Sequence, residues 1–139
     1  MRVYVSNYSS RRGRPAVQIS KTSPSWAVIK KSIPELFPSW DLIQLIKTTK
    51  VGSRERREAE LEYVKRYTRQ LIINRDSIFD QLENDDVLCC WCKKGDFCHR
   101  LIVAEFLRMN GVECEKYTHI DPLCQATLIA HAADVSYSK

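Results

Sequence analysis

The spacing of apolar positions changes from segment to segment along the chain, and each change marks an element. Val3, Tyr4 and Val5 form a short β-branched and aromatic run that predicts a first strand. Ala16 to Ser20 predicts a second, bounded by Pro15 and Pro24. Between Ser23 and Ser39 the prolines Pro24, Pro34 and Pro38 exclude a long regular element, so the segment reads as an ordered loop packing Trp26, Ile33, Leu36, Phe37 and Trp40. At most one or two helical turns fit from Trp26 to Lys31. Ser39 can N-cap a helix in which Leu42, Ile43 and Ile46 repeat at helical spacing, with Asp41 in its first turn and Gly52 closing the segment. Ser53 caps the clearest helix, to about Ile73, with Leu61, Val64, Leu71 and Ile72 on one face and Tyr63 and Tyr67 stacked beside them. Asp76 can cap a short helix carrying Ile78, Phe79 and Leu82.

The run Asp86 to Cys92 is continuously apolar after its first residue, the mark of a strand covered on both faces, and is read as the central strand. A turn over Lys93 to Asp96 leads into a largely buried helix from Cys98 to Asn110. Asn110-Gly111 ends that helix with a left-handed cap, and Val112 to Cys114 returns as a strand. Strand, turn, buried helix and strand make a βαβ unit. The expected architecture is therefore an α/β fold, a mixed or mostly parallel sheet flanked by helices on both faces. Asp121-Pro122 starts a C-terminal helical segment through about Ala133. With no internal repeat, 139 residues read as one domain, 1–139.

Composition narrows the class. Apolar residues at 44% and charged residues at 28% exclude low-complexity and disordered chains. No apolar stretch approaches the ~20 residues of a membrane span, and the start has no apolar core of a secretory signal. The reducing cytoplasm is therefore the expected location. Cys89, Cys90 and Cys92 fall within one apolar run and cannot bridge one another, so the six cysteines read as thiols rather than a disulfide framework. The net charge of +5 is uneven: residues 1–34 hold seven basic side chains, among them Arg11, Arg12 and Arg14, and no acidic one. That quarter is a candidate anion-facing surface or a merely solvated basic loop.

The chemistry concentrates at the exit of the central strand, where open α/β sheets bind ligands beyond strand carboxyl ends and before helix N-termini. Cys92 to Arg100 gathers two thiols, an imidazole, a guanidinium, the ammonium groups of Lys93 and Lys94, the carboxylate of Asp96 and a glycine. Three readings follow. Cys98 or Cys92, at a helix N-terminus beside cations, could be a nucleophile, or simply a small buried hydrophobe. The Cys-x5-Arg loop of phosphatases and rhodaneses is not matched. Cys90, Cys92, Cys98 and His99 could instead ligate zinc, although their spacing is not that of the usual knuckles. In the favoured reading Arg100, His99 and the helix end recognise an anion, against the alternative that Arg100 only pairs with Asp96 or Glu105. Tyr8, Ser20 and Trp26 end or follow the first two strands and could line the same rim, and aromatics among Arg11, Arg12 and Arg14 could stack nucleobases. His119 and His131 read as isolated, structural or solvent-facing.

The stretch Val87-Leu88-Cys89-Cys90-Trp91-Cys92, then Asp96-Phe97-Cys98-His99-Arg100 and Ala104-Glu105-Phe106-Leu107, resembles the signature of the domain of unknown function 488 family. Those proteins carry an apolar strand ending in Cys, a short loop, and Cys-His-Arg opening a helix. The N-terminal half is similar more loosely, through the strand into Tyr8 and Ser9 and through Val17 to Ser20 followed by Pro24 and Trp26. This chain differs in its basic Lys93-Lys94 and its triple-cysteine strand. The resemblance spans residues 2–115 and implies a compact α/β domain of bacterial or phage type with Cys98, His99 and Arg100 as the site. It implies no reaction and no cofactor.

Taken together, the expected protein binds a nucleotide, a nucleic-acid fragment or another phosphate-bearing ligand at the strand-turn-helix site, with or without catalysis. Arg100, Lys93 and Lys94 would hold the anion, His99 would donate or transfer a proton, and Cys98 would supply a thiol. The alternatives are a non-catalytic nucleic-acid binding module using Arg11, Arg12 and Arg14, and a zinc-supported structural protein.

Overall fold

A computed structural model describes residues 1–10, 14–91 and 97–115. Five strands, β1 (Arg2–Asn7), β2 (Ala16–Gln18), β3 (Ile29–Ser32), β4 (Val87–Cys90) and β5 (Glu113–Glu115), form one sheet in the order β3-β2-β4-β1-β5. Every pairing is parallel, with Tyr4 to Asn7 beside Val87 to Cys90 and Val17 beside Leu88. Among the described residues four α-helices accompany it: α1 (Trp40–Lys47), α2 (Arg54–Ile73), α3 (Arg75–Gln81) and α4 (His99–Met109). The α/β architecture with a parallel sheet is thus the one the apolar pattern predicts. Lys93, Lys94, Arg11, Arg12, Cys92 and the C-terminal segment from Asp121 lie outside the described residues.

Local chemistry accounts for most boundaries. The Ser39 hydroxyl accepts from the Leu42 amide at 3.3 Å and the Ser53 hydroxyl from the Arg56 amide at 3.0 Å, so both serines cap their helices. Gly111, at φ 83°, takes the left-handed conformation that ends α4. Asp76 does not cap α3: the cap position is Asn74, without a side-chain bond, and Asp76 sits in the first turn. All four residues of β4 are buried, as a central strand requires, but the strand stops at Cys90 and Trp91 beyond it is 52% exposed.

Alternation along β1 sorts the core. Val3 and Val5 join Val17, Leu88 and Cys90 in the main cluster, where Tyr63, Val64 and Tyr67 of α2 and Ile102 and Val103 of α4 meet them. Tyr4 faces the other way, into a smaller cluster with Tyr8, Ala16, Val87 and Cys89. On α2 Val64, Leu71 and Ile72 are buried as the pattern predicts, but the two tyrosines join them in the buried face and Leu61 lies at its margin. Tyr67 can take that place because its hydroxyl donates to the Leu36 carbonyl at 2.6 Å, satisfying its one polar atom in full burial.

The proline-bounded loop holds a surprise. Residues Ile29–Ser32 form edge strand β3 rather than a helical turn, although two of the four are lysines. Their charge is the reason. Asp86, with no exposed side-chain surface, sits 2.8 Å from Lys30 Nζ and 2.9 Å from Lys31 Nζ, and its other hydrogen bond comes from the Glu83 amide at 2.8 Å. Burial alone would raise the Asp86 pKa, but these donors hold it below the ordinary carboxylate value. Trp26 and Trp40, expected in the loop's core, are 59% and 58% exposed, whereas Ile33 and Leu36 are fully buried.

Replacing Asp86 with Ala should cost on the order of 1–3 kcal/mol, because it strips partners from a part-buried amide and two lysines. Thermal melts at neutral pH would show it. In the parent protein the stabilisation from the lowered Asp86 pKa is present above the unfolded value near 3.8 and is lost as pH falls through the folded value. The variant should lose that acid sensitivity, and an unchanged melting temperature would refute the clamp.

Candidate functional site at the carboxyl edge

Because the strands are parallel, β1, β2 and β4 all end at one edge, and the residues that follow them are neighbours: Tyr8, Ile19 with Ser20, and Trp91. Tyr8 is buried. Its hydroxyl lies 2.6 Å from Ser20 Oγ, which donates to the Thr22 carbonyl at 2.7 Å. Burial pushes the Tyr8 phenol up to about 12, so it stays a neutral donor. The Trp91 indole nitrogen donates to the Thr22 carbonyl at 2.9 Å and lies 3.0 Å from its hydroxyl, and the ring stands edge-on to Tyr8 at 5.7 Å. An exposed indole is thereby fixed in orientation.

Helix α4 starts at this edge, with Cys98 at its N-cap and His99 and Arg100 in its first turn, all buried. His99 Nε2 lies 2.8 Å from the Ile19 carbonyl, just past the end of β2. A carbonyl oxygen only accepts, so Nε2 carries the proton. Burial lowers the His99 pKa, and the neutral ring turns Nδ1, as an acceptor, toward Cys98 Sγ at 3.7 Å. The imidazole is held edge-to-face on Tyr67, with centroids 5.7 Å apart. Cys98 Sγ lies 3.0 Å from Cys90 Sγ, and Arg100 Nη1 donates to Cys90 Sγ at 3.3 Å. A buried chain of guanidinium, thiol, thiol and imidazole therefore runs beneath the edge.

Above it opens a cleft of about 490 Å³. Cys90, Cys98 and His99 line its inner part, Trp40 and Trp91 its aromatic surface, and Lys21 and Lys47 its basic rim. Lys21 Nζ rests 5.4 Å from the centre of the Trp40 ring, a cation–π contact that keeps the ammonium at the mouth.

The residues anticipated from sequence divide accordingly. Ser20, Cys98 and His99 line the cleft, and Tyr8 supports Ser20 from beneath. Arg100 is not among the lining residues; it reaches Cys90 from inside the protein. Arg14 lies at the opposite, amino edge, donating to the Asp85 carbonyl at 3.2 Å and resting 4.9 Å from the Tyr4 ring centre. Trp26 does not line the cleft. Among the described residues no group of three or more His, Cys, Asp or Glu side chains is arranged to hold a metal ion. Sequence reading missed Trp40, Lys21 and Lys47. The only available signal was Trp40 itself, a large aromatic placed directly after a helix-capping serine.

Fold and site together define a compact α/β domain with a cleft at the carboxyl edge of a parallel sheet. Residues 5–111 match the family described as the active DUF488-N3 subclade, so the chain belongs to the domain of unknown function 488 family. No curated protein and no solved structure matches it. No described helix is long and apolar enough to cross a membrane.

A histidine kept neutral by burial makes folding sensitive to mild acid. The unfolded imidazole binds a proton near pH 6.5 and the folded one only at lower pH, so stability is full above about 6.5 and falls as pH drops below it. His99→Gln should flatten the fall in melting temperature across that window. An identical slope in the variant would contradict a neutral, buried His99.

Proposed function

We propose that the protein binds a nucleotide or a nucleic-acid fragment in the cleft at the carboxyl edge, with the base on the tryptophan surface and the phosphate at the lysine rim. The observation that carries this reading is the pair of tryptophans, each more than half exposed and each lining the same cleft. Water disfavours such surface, and Trp91 is held rigidly by Thr22, which makes it a stacking platform ordered before the ligand arrives. Lys21 and Lys47 supply the positive charge that a phosphate needs at the mouth.

In this reading Cys98, His99 and Arg100 are the groups through which a reaction of the bound ligand would run. Cys98, a buried residue of the cleft lining, supplies a thiol, and His99 Nδ1 is the acceptor for its proton. Arg100 acts through Cys90, where its guanidinium stabilises negative charge on the inner sulfur. Lys93 and Lys94, adjacent in sequence, are additional candidates for the phosphate. A binding module built on the basic N-terminal quarter finds less support, because Arg14, Lys30 and Lys31 are engaged by Asp85, Asp86 and Glu83 at the amino edge.

The test is titration of the protein with 5′-mononucleotides and with a short single-stranded oligonucleotide, read by tryptophan fluorescence and calorimetry. Trp91→Ala should weaken binding by about 5- to 150-fold, corresponding to ~1–3 kcal/mol of base stacking. Lys21→Ala with Lys47→Ala should reduce its salt dependence. Mononucleotides that bind as well as the oligonucleotide identify a nucleotide site; tighter oligonucleotide binding identifies a nucleic-acid site. Absence of binding by either probe, or binding unaffected by both Trp40→Ala and Trp91→Ala, would overturn the proposal.

A further inference from the structure

The two innermost lining residues of the cleft are both thiols, and their arrangement has a chemistry of its own. Cys90 ends β4 and Cys98 is the N-cap residue of α4, so the end of the strand and the start of the helix lie side by side. Their sulfurs are 3.0 Å apart and need to approach by only about 1 Å to reach the ~2.05 Å of a disulfide. Each sulfur also has a different charged or basic neighbour. His99 Nδ1, 3.7 Å from Cys98 Sγ, faces it as a proton acceptor because Nε2 is committed to the Ile19 carbonyl. Arg100 Nη1, 3.3 Å from Cys90 Sγ, stabilises negative charge there. Both residues are among those that line the cleft, Cys90 fully buried and Cys98 3% exposed, so an oxidant approaches the pair from the cleft by way of Cys98.

We propose that Cys90 and Cys98 form an oxidisable dithiol that hydrogen peroxide, entering through the cleft, converts to an intramolecular disulfide. His99 Nδ1 takes the Cys98 proton, and the thiolate attacks one peroxide oxygen. The O–O bond breaks, the departing hydroxide takes the proton from His99 and leaves as water, and Cys98 becomes a sulfenic acid. The Cys90 sulfur then attacks the Cys98 sulfur, the S–O bond breaks, and the hydroxide leaves as a second water with the Cys90 proton. Two thiols lose two electrons and one peroxide gains them. This chemistry does not depend on which ligand fills the cleft.

The other described thiols sit elsewhere in the fold. Cys89 faces the opposite side of the sheet, in the cluster with Tyr4 and Tyr8, and its thiol is directed at the Val87 carbonyl. Burial pushes the Cys114 thiol up to about 12, so little thiolate forms there.

The experiment treats the reduced, full-length protein with equimolar hydrogen peroxide and maps its peptides under non-reducing conditions. Trypsin cleaves after Lys94, which separates the Cys98 peptide from the one bearing Cys89, Cys90 and Cys92. The expected product is a linked pair, assigned to Cys90 and Cys98 by fragmentation and lost on adding dithiothreitol. In Cys90→Ser, dimedone should label Cys98, since the sulfenic acid then has no resolving partner. The wild-type map needs no variant to fold. A Cys98 linked instead to Cys92, oxidation of Cys114 before either residue, or Cys98 carried to the sulfinic acid while Cys90 stays reduced would each overturn the proposal.

Discussion

An imidazole buried in a protein interior must place its single N–H on an acceptor, and a carbonyl at the end of a strand must find a donor, or each costs about 1–3 kcal/mol. At the carboxyl edge of this sheet His99 and Ile19 satisfy one another at 2.8 Å. The Ile19 amide makes the last backbone bond of that strand pair, to the Cys89 carbonyl at 3.2 Å, so its own carbonyl is the first beyond the ladder. By accepting from His99 it ties the first turn of α4 to the end of β2, across the end of β4 that lies between the two anchors. Cys90, Cys98 and Arg100 are brought together by that tie, and the cleft above them takes its inner surface from it.

The charged groups are distributed by the same logic of edges. At the amino edge Asp86 gathers Lys30 and Lys31, and Asp85 engages Arg14. Arg2, at the start of β1, pairs with Glu113 and Glu115 of β5. These contacts use positive charge from the basic N-terminal quarter to hold strands β3 and β5 against the sheet. At the carboxyl edge, by contrast, Lys21 and Lys47 stand at the mouth of an apolar cleft. Positive charge therefore serves folding at one end of the sheet and lines the cleft at the other.

What could be read from the sequence followed the strength of the periodic signal. The continuous apolar run gave β4, the 3.6-residue pattern gave α2 and α4, and Ser39, Ser53 and Gly111 marked boundaries that the hydrogen bonds and φ angles bear out. Strand β3 was hidden because its two lysines are stabilised by a carboxylate more than fifty residues away, a long-range contact that no local pattern encodes. Trp91 extended an apolar run and so looked like strand interior, although its indole turns outward to Thr22. The Cys98-His99-Arg100 block was visible as chemistry, but not the inward direction of Arg100 or the meeting of Cys98 with Cys90. Those depend on how α4 docks, and docking is set by burial across the whole helix.

The account rests on a neutral His99 protonated at Nε2 and bonded to Ile19. Nitrogen NMR of the histidine side chains at neutral pH observes that directly. The predicted spectrum assigns His99 an Nε2–H tautomer with a slowly exchanging imidazole proton and an unprotonated Nδ1. An Nδ1–H tautomer, or an imidazolium at neutral pH, would mean that α4 is not anchored in this way and that the site described above is not assembled.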